Sequence, residues 1–212
     1  NVMAEHLLFN WDLFTVGMVV IMTTVLGFVV FFEQPSSKTH RLFLAFTLLT
    51  AVWGVVTYSS YRIADPPTAF LLIRATLFIV SWQTMTFLLF AFAFPHAHIG
   101  APRYIQFFIF SVTAVVSLLT LTPLVFHSIG TLTPDGRVDS VVNGPALPLF
   151  GMMSVGYTFA GLIILLRKTW KLKSERGGSY HLMAYGLVTM FILIITSNFL
   201  LPVLLGNSGY LP

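Results

Sequence analysis

The stretch Arg167-Lys168-Thr169-Trp170-Lys171-Leu172-Lys173-Ser174-Glu175-Arg176 holds five of the eleven Lys and Arg residues in a chain of 212. Long apolar runs flank it, over about 147–166 before and 180–205 after. Loops that stay in the cytoplasm beside membrane helices carry an excess of Lys and Arg. Arg167, Lys168, Lys171, Lys173 and Arg176 are therefore read as topology-determining residues in a cytoplasmic loop. The rest of the topology follows from counting crossings outward from this loop.

Composition supports a lipid environment. The chain is 57% hydrophobic and 8% charged, whereas a soluble domain carries roughly a quarter charged residues. Its mean hydropathy is +0.88. The net charge of +4 is not a nucleic-acid signal, because the basic residues sit beside apolar runs and not on a polar face. With no cysteine, disulfides, a thiolate nucleophile and Cys metal sites are excluded.

A spanning helix needs about 20 mainly apolar residues. Six runs qualify, at about 13–32, 42–61, 68–94, 104–126, 147–166 and 180–205. The expected fold is a single all-α polytopic membrane domain covering residues 1–212. The first run lacks a basic flank and a small-residue cleavage site, so it is read as a membrane helix and not a signal peptide. Eight basic residues fall on one side of the membrane: Lys38, Arg41, Arg103 and the five of the opening stretch. Arg62 and Arg137 fall on the other, with Glu5, Asp12, Asp65, Asp135 and Asp139. This split places the N-terminus outside a bacterial inner membrane and, after six crossings, Pro212 outside as well.

The exterior segment 127–146 is longer than the other loops. Thr133-Pro134-Asp135-Gly136 lies between the β-prone runs Ile129-Gly130-Thr131-Leu132 and Arg137-Val138-Asp139-Ser140-Val141-Val142. Pro-Asp-Gly in this setting signals a hairpin turn, so a small exterior β-hairpin is expected between the fourth and fifth helices.

Polar residues inside the spans are the candidate ligand contacts. Arg74 lies about two turns into the third helix. It reads either as an anion or ligand contact in an exterior-facing cavity or as a structural ion pair with Asp65 or Asp12, with the ion pair favoured. Gln83, mid-helix beside Trp82, is either an interhelical hydrogen-bond partner, which is favoured, or a pocket group. Asn198, four residues before Pro202, suits the backbone groups that a proline frees. Trp53 is the fourth candidate, although packing or lipid contact is its default role. On the fifth helix Gly156 and Ala160 form a small-xxx-small pair, and Gly161 follows. These residues suit close helix packing.

Several chemistries are set aside. The histidines fall at helix ends or in loops, so bis-His haem has no support, and His96-x-His98 alone is a weak metal signal. No lysine lies inside a predicted span, which removes a retinal Schiff base. No acidic residue lies mid-helix, against an ion-coupled transporter. No catalytic motif is found, so the chain is read as a non-enzyme without a cofactor.

The pattern resembles the seven-helix N-terminal sensor region of bacterial membrane histidine kinases. The landmarks are Arg41-Leu42-Phe43-Leu44 and Ala51-Val52-Trp53-Gly54 in the second helix, and Arg74 with the aromatic run to Phe94 in the third. The connection supplies Leu121-Thr122-Pro123, Asp135-Gly136, Asn143-Gly144-Pro145 and Leu149-Phe150. Tyr157, Gly161, Leu162, Gly186, Asn198 and Pro202 follow. The likeness runs from about Ser37 to Pro212. That family has a seventh helix after a turn such as Gly206-Asn207-Ser208-Gly209, then a cytoplasmic output domain. The sequence ends at Pro212, so it reads either as a fragment or as a six-helix relative without kinase output. The resemblance implies a membrane sensor with an unnamed ligand. The competing expectation is an accessory subunit of a larger membrane complex, and small-solute transport is third. The expected partners are the lipid bilayer and a second copy or larger complex, with no nucleic acid.

Overall fold

Lipid offers the backbone no hydrogen-bond partner, so a spanning segment must satisfy its own amides, and the helix does this within one segment. The computed structural model describes residues 11–96, 98–134 and 136–172. Five helices long and apolar enough to span a membrane lie in that range. They are α1 (Trp11–Glu33), α2 (Lys38–Arg62), α3 (Pro66–Ala93), α4 (Arg103–Thr120) and α5 (Leu147–Leu172). Two short strands, β1 (Phe126–Ile129) and β2 (Val141–Asn143), lie between α4 and α5. The expected sixth helix at 180–205 lies outside the described residues. The chain divides into two compact units, 1–161 and 162–212, with the division falling inside α5.

Within the first unit α3 is the centre. Met85, Phe87, Leu88, Phe90, Ala91 and Ala93 are all buried on it. Aromatic pairs tie it to its neighbours. Phe46 and Phe87 rings lie 5.8 Å apart, as do Phe43 and Phe90, joining α2 to α3. Trp82 and Phe110 lie edge to face at 5.5 Å, joining α3 to α4. Such pairs contribute about 0.5–1.5 kcal/mol each beyond their buried area. In contrast α1 packs on α2 and leaves most of its surface open, with Phe32 70% exposed. An apolar helix that is open on so many sides fits hydrocarbon as its solvent.

Glycine permits two close approaches. A Cβ on Gly27 of α1 would stand 2.0 Å from Thr47 Oγ1 of α2, and one on Gly161 of α5 would stand 2.6 Å from a ring carbon of Phe87. Phe87 is 1% exposed and has no room to retreat. Gly161 therefore packs helices within the chain, whereas a Cβ on Gly151 or Gly156 would meet nothing within 4 Å among the described residues.

The helix ends follow local chemistry. Asp65 caps α3, accepting from the Thr68 amide at 3.0 Å and from the Thr68 hydroxyl, with Pro66 and Pro67 opening the helix. Prolines suit these first positions, where an amide proton would lack a partner. The fourth helix ends at Thr120, earlier than the expected 126. Pro123 has no amide to offer Leu119, and its ring would collide with that carbonyl. The Thr122 amide bonds Leu119 O at 3.0 Å instead, tightening the last turn. The fifth helix runs to Leu172, beyond the expected 166, so Arg167, Lys168 and Lys171 lie in helix and not in a loop. Arg and Lys are good helix formers. The expectation that no lysine lies inside a span is corrected accordingly, since Lys168 falls within the membrane-capable stretch Leu147–Thr169. Lys173 and Arg176 lie outside the described residues.

The hairpin is antiparallel, with Ser128 opposite Val142 and Ile129 opposite Val141, and a register irregularity between Phe126 and Ser128. Leu132 bridges Val138 nearer the tip. The Gly136 amide donates to Thr133 O at 2.9 Å. Gly136 has φ +79, the left-handed region that glycine enters without steric cost.

Candidate functional site

Sequence singles out Arg74, Gln83, Trp53 and Asn198. The structure places the first three in two locations, and Asn198 lies outside the described residues.

Arg74 sits under the hairpin. Its Nη2 donates to Phe126 O at 2.6 Å and its Nη1 reaches Leu121 O at 3.5 Å. Leu121 is the C-cap of α4, where orphan carbonyls gather and the helix dipole is negative. The guanidinium also lies 4.3 Å over the Phe70 ring. Its Nε is buried without a partner. Arg74 thus joins α3 to the end of α4 and to the first residue of β1. Its partners among the described residues are backbone carbonyls, and not the Asp65 carboxylate expected from sequence; the side chain of Asp12, the other expected partner, lies outside the described residues. Asp65 is engaged with Thr68.

Those bonds from the Thr68 side chain and amide hold the Asp65 carboxyl below its ordinary value of 3.8. A depressed folded-state pKa stabilises the fold above the ordinary value, and the stabilisation is lost as pH falls through the folded one. Asn caps as well as Asp. Asp65→Asn should therefore leave exchange of the first-turn α3 amides nearly unchanged at neutral pH while removing its acid-dependent rise. Hydrogen exchange across an acid series checks this. An identical acid rise in both proteins would contradict it.

Gln83 lies nine residues beyond Arg74 on α3, roughly 13 Å along the axis. Its Nε2 donates to Thr50 Oγ1 of α2 at 2.9 Å, and Thr50 in turn donates to Phe46 O at 2.8 Å. This is the interhelical bond that a mid-membrane amide is suited to make. Thr50 also lines a groove between α1 and α2 of about 310 Å³, and Trp53 lines the same groove. Gln83 thus bonds one residue of the groove that Trp53 also lines, and Arg74 is not among the lining residues.

The chemistry on offer is hydrogen bonding and apolar contact. His96 and His98 stack with ring centroids 5.8 Å apart. Among the described residues no group of three or more His, Asp or Glu could hold a metal. On the face that carries Lys38, the Thr39 hydroxyl donates to His96 O and ties α2 to the α3–α4 connection. Ala160 is half-buried and Gly156 exposed on α5.

The family model for the N-terminal 7TM region of histidine kinase matches residues 15–206. The chain belongs to this family. The match begins within α1, so the first helix is part of the 7TM region and the likeness is not confined to residues after Ser37. No curated protein and no solved structure matches the chain. The helices and hairpin described above are thus those of a multi-pass membrane region of the histidine-kinase 7TM type. Residue-by-residue reading of this 7TM region missed the Leu121 and Phe126 carbonyls and the Gly27–Thr47 approach. Backbone acceptors leave no mark in a sequence. A glycine facing a threonine across two helices shows only once the pairing of those helices is known.

Proposed function

We propose that this 7TM region is a membrane sensor input module, coupling an exterior or intramembrane cue to an attached output domain and carrying out no catalysis itself. The observation that carries the proposal is the family match over 15–206. The hairpin bonded through Arg74 to the central helix supports it, because a change at the hairpin would have a direct mechanical path into α3.

The same proposal sets the orientation in a bacterial inner membrane. Residues Lys38, Arg41, Arg103, Arg167 and Lys168 face the cytoplasm, and the N-terminus and the hairpin face outside. The chain has no native cysteine, so single cysteines report cleanly. Arg137→Cys should react with a membrane-impermeant maleimide in sealed cells, and Lys171→Cys should react only after permeabilisation. The opposite result would reverse the orientation.

A second function is favoured by one observation. Among the described residues nothing stands within 4 Å of a Cβ on Gly151 or Gly156 of α5, and small residues let helices approach closely in lipid. A structural or accessory subunit would use such a face against partner helices, and a homo-oligomer would use it against a second copy. The intact mass of the protein purified from its own membranes separates the two. A polypeptide continuing into a further span and an output domain is expected for the sensor. A chain ending near residue 212 with stoichiometric partners would replace it with the accessory subunit.

A further inference from the structure

The pair His96 and His98 takes no part in the contacts assigned so far. It lies in the connection between α3 and α4, and both ends of that connection are anchored in the core. Ala93 is fully buried, and Phe94 and Ala101 are each 6% exposed. The turn is closed by its own backbone. The His96 amide donates to Ala93 O at 2.9 Å, and the Gly100 amide donates to Phe92 O at 3.1 Å. A Cβ on Gly100 would stand 3.3 Å from Phe92 O, so glycine lets the chain come this close. From α2 the Thr39 hydroxyl donates to His96 O. Backbone on both sides of His98 is thereby held.

Both histidines are exposed. Apart from each other, neither ring bonds a protein group among the described residues, so their nitrogens are open to a ligand. His40 of α2 differs, because its Nδ1 is buried. The His96 and His98 ring centroids lie 5.8 Å apart, with planes 19° from parallel. Two imidazoles bound to one tetrahedral ion, each through a nitrogen at about 2.0–2.1 Å, place their centroids about 5.2 Å apart. Closing the difference of about 0.6 Å takes small rotations of two exposed side chains and no backbone shift. Neutral imidazole suits zinc, nickel and copper. Calcium and magnesium take oxygen ligands, and no Asp, Glu or third His joins the pair among the described residues. The chain has no cysteine to offer a thiolate.

We propose that His96 and His98 form a two-histidine chelate for a divalent ion of the zinc, nickel and copper class, on the face of the membrane that carries Lys38. Water completes the coordination, as it does wherever protein ligands leave positions open on such an ion. A bound ion bridges two points of the connection and stiffens the turn that Thr39 ties to α2. The site is defined by binding and goes beyond the sensor proposal, since it holds whether or not an output domain responds.

The test uses the full chain, without a histidine tag, in detergent, where both faces meet the ion. Cu2+ is the probe and excess Zn2+ the competitor. The electron paramagnetic resonance spectrum of the tightest-bound Cu2+ should show two imidazole nitrogens, and Zn2+ should displace it. His96→Gln and His98→Gln should each weaken that binding roughly tenfold or more, because each removes the neighbour that makes the second bond intramolecular. Each should also leave a one-nitrogen spectrum. His127→Gln, in β1, should match the wild type in both readouts. Ion-free melting temperatures should agree across the set, since all three side chains are exposed, and this reports an intact fold. A wild-type spectrum with a single nitrogen would overturn the chelate. A two-nitrogen spectrum of unchanged affinity in either His96→Gln or His98→Gln would overturn the assignment to this pair.

Discussion

Gly144→Ala is expected to be the most damaging single methyl group in the described structure. The added Cβ would stand 2.2 Å from Leu124 O, 2.6 Å from its carbonyl carbon and 2.9 Å from Pro123 O. All three are backbone atoms, and none can swing aside. They are also held from the other side, because the Gly144 amide donates to Val125 O at 2.8 Å and the Ala146 amide to Leu124 O at 2.9 Å. These bonds seat the hairpin between the end of α4 and the start of α5. Relief of the overlap requires breaking at least one of them. Overpacking costs about 1–3 kcal/mol when side chains can adjust and more when they cannot, so a loss of about 3 kcal/mol is expected. At about 2–4 °C per kcal/mol for a protein of this size, the apparent melting temperature in detergent should fall by about 6–12 °C. Gly151→Ala is the control. Its Cβ meets nothing, and alanine is favoured over glycine in a helix by about 1 kcal/mol, so its melting temperature should hold or rise. Coincident melting of the two variants would refute the close approach.

The contrast between those two glycines shows where a sequence stops being legible. Asn143 and Pro145 mark Gly144 as a turn residue and the apolar run marks Gly151 as helical, but no local feature shows that a methyl group at Gly144 would meet the backbone of Leu124 and Pro123. What was legible is what lipid dictates. Long apolar runs became helices at 11–33, 38–62 and 66–93, because no other backbone arrangement satisfies itself within one segment. The turn was legible as well, since Gly136 occupies a positive φ that Pro-Asp-Gly announces. The end of α4 was misjudged because hydropathy continues through Leu124, Val125 and Phe126 after Pro123 has already stopped the helix. Arg74 was noticed for its charge, but its partners are carbonyls, which every residue carries. The groove between α1 and α2 was reachable only in part. Trp53 stood out by type, whereas the groove it lines depends on how α1 and α2 pair, as in the approach of Gly54 to Val20.

Arg74→Ala is expected to release the hairpin from the helical core. The side chain bonds Phe126 O at 2.6 Å and reaches Leu121 O at 3.5 Å, so the first bond dominates. Hydrogen bonds from a charged donor contribute about 1.5–3 kcal/mol. The contact with the Phe70 ring, at 4.3 Å, adds about 0.5–1 kcal/mol. Against these stands the cost of holding a guanidinium away from water with its Nε unpartnered, which lowers the net. A loss of about 2 kcal/mol remains, or about 4–8 °C in apparent melting temperature. The loss is local in kind. Amide exchange in β1 and β2 should quicken while Met85, Phe87 and Leu88 of α3 stay protected, because all three are buried and Phe87 packs on Phe46 of α2 and Gly161 of α5 without reference to the hairpin. Arg74→Lys supplies one compact donor in place of a planar fork. It can hold Phe126 O but cannot also reach Leu121 O, so it should fall between the wild type and alanine. Unchanged hairpin protection in Arg74→Ala would remove Arg74 as the link between hairpin and core. Lysine behaving like alanine would show that the fork geometry, and not the charge at the α4 terminus, holds the two together.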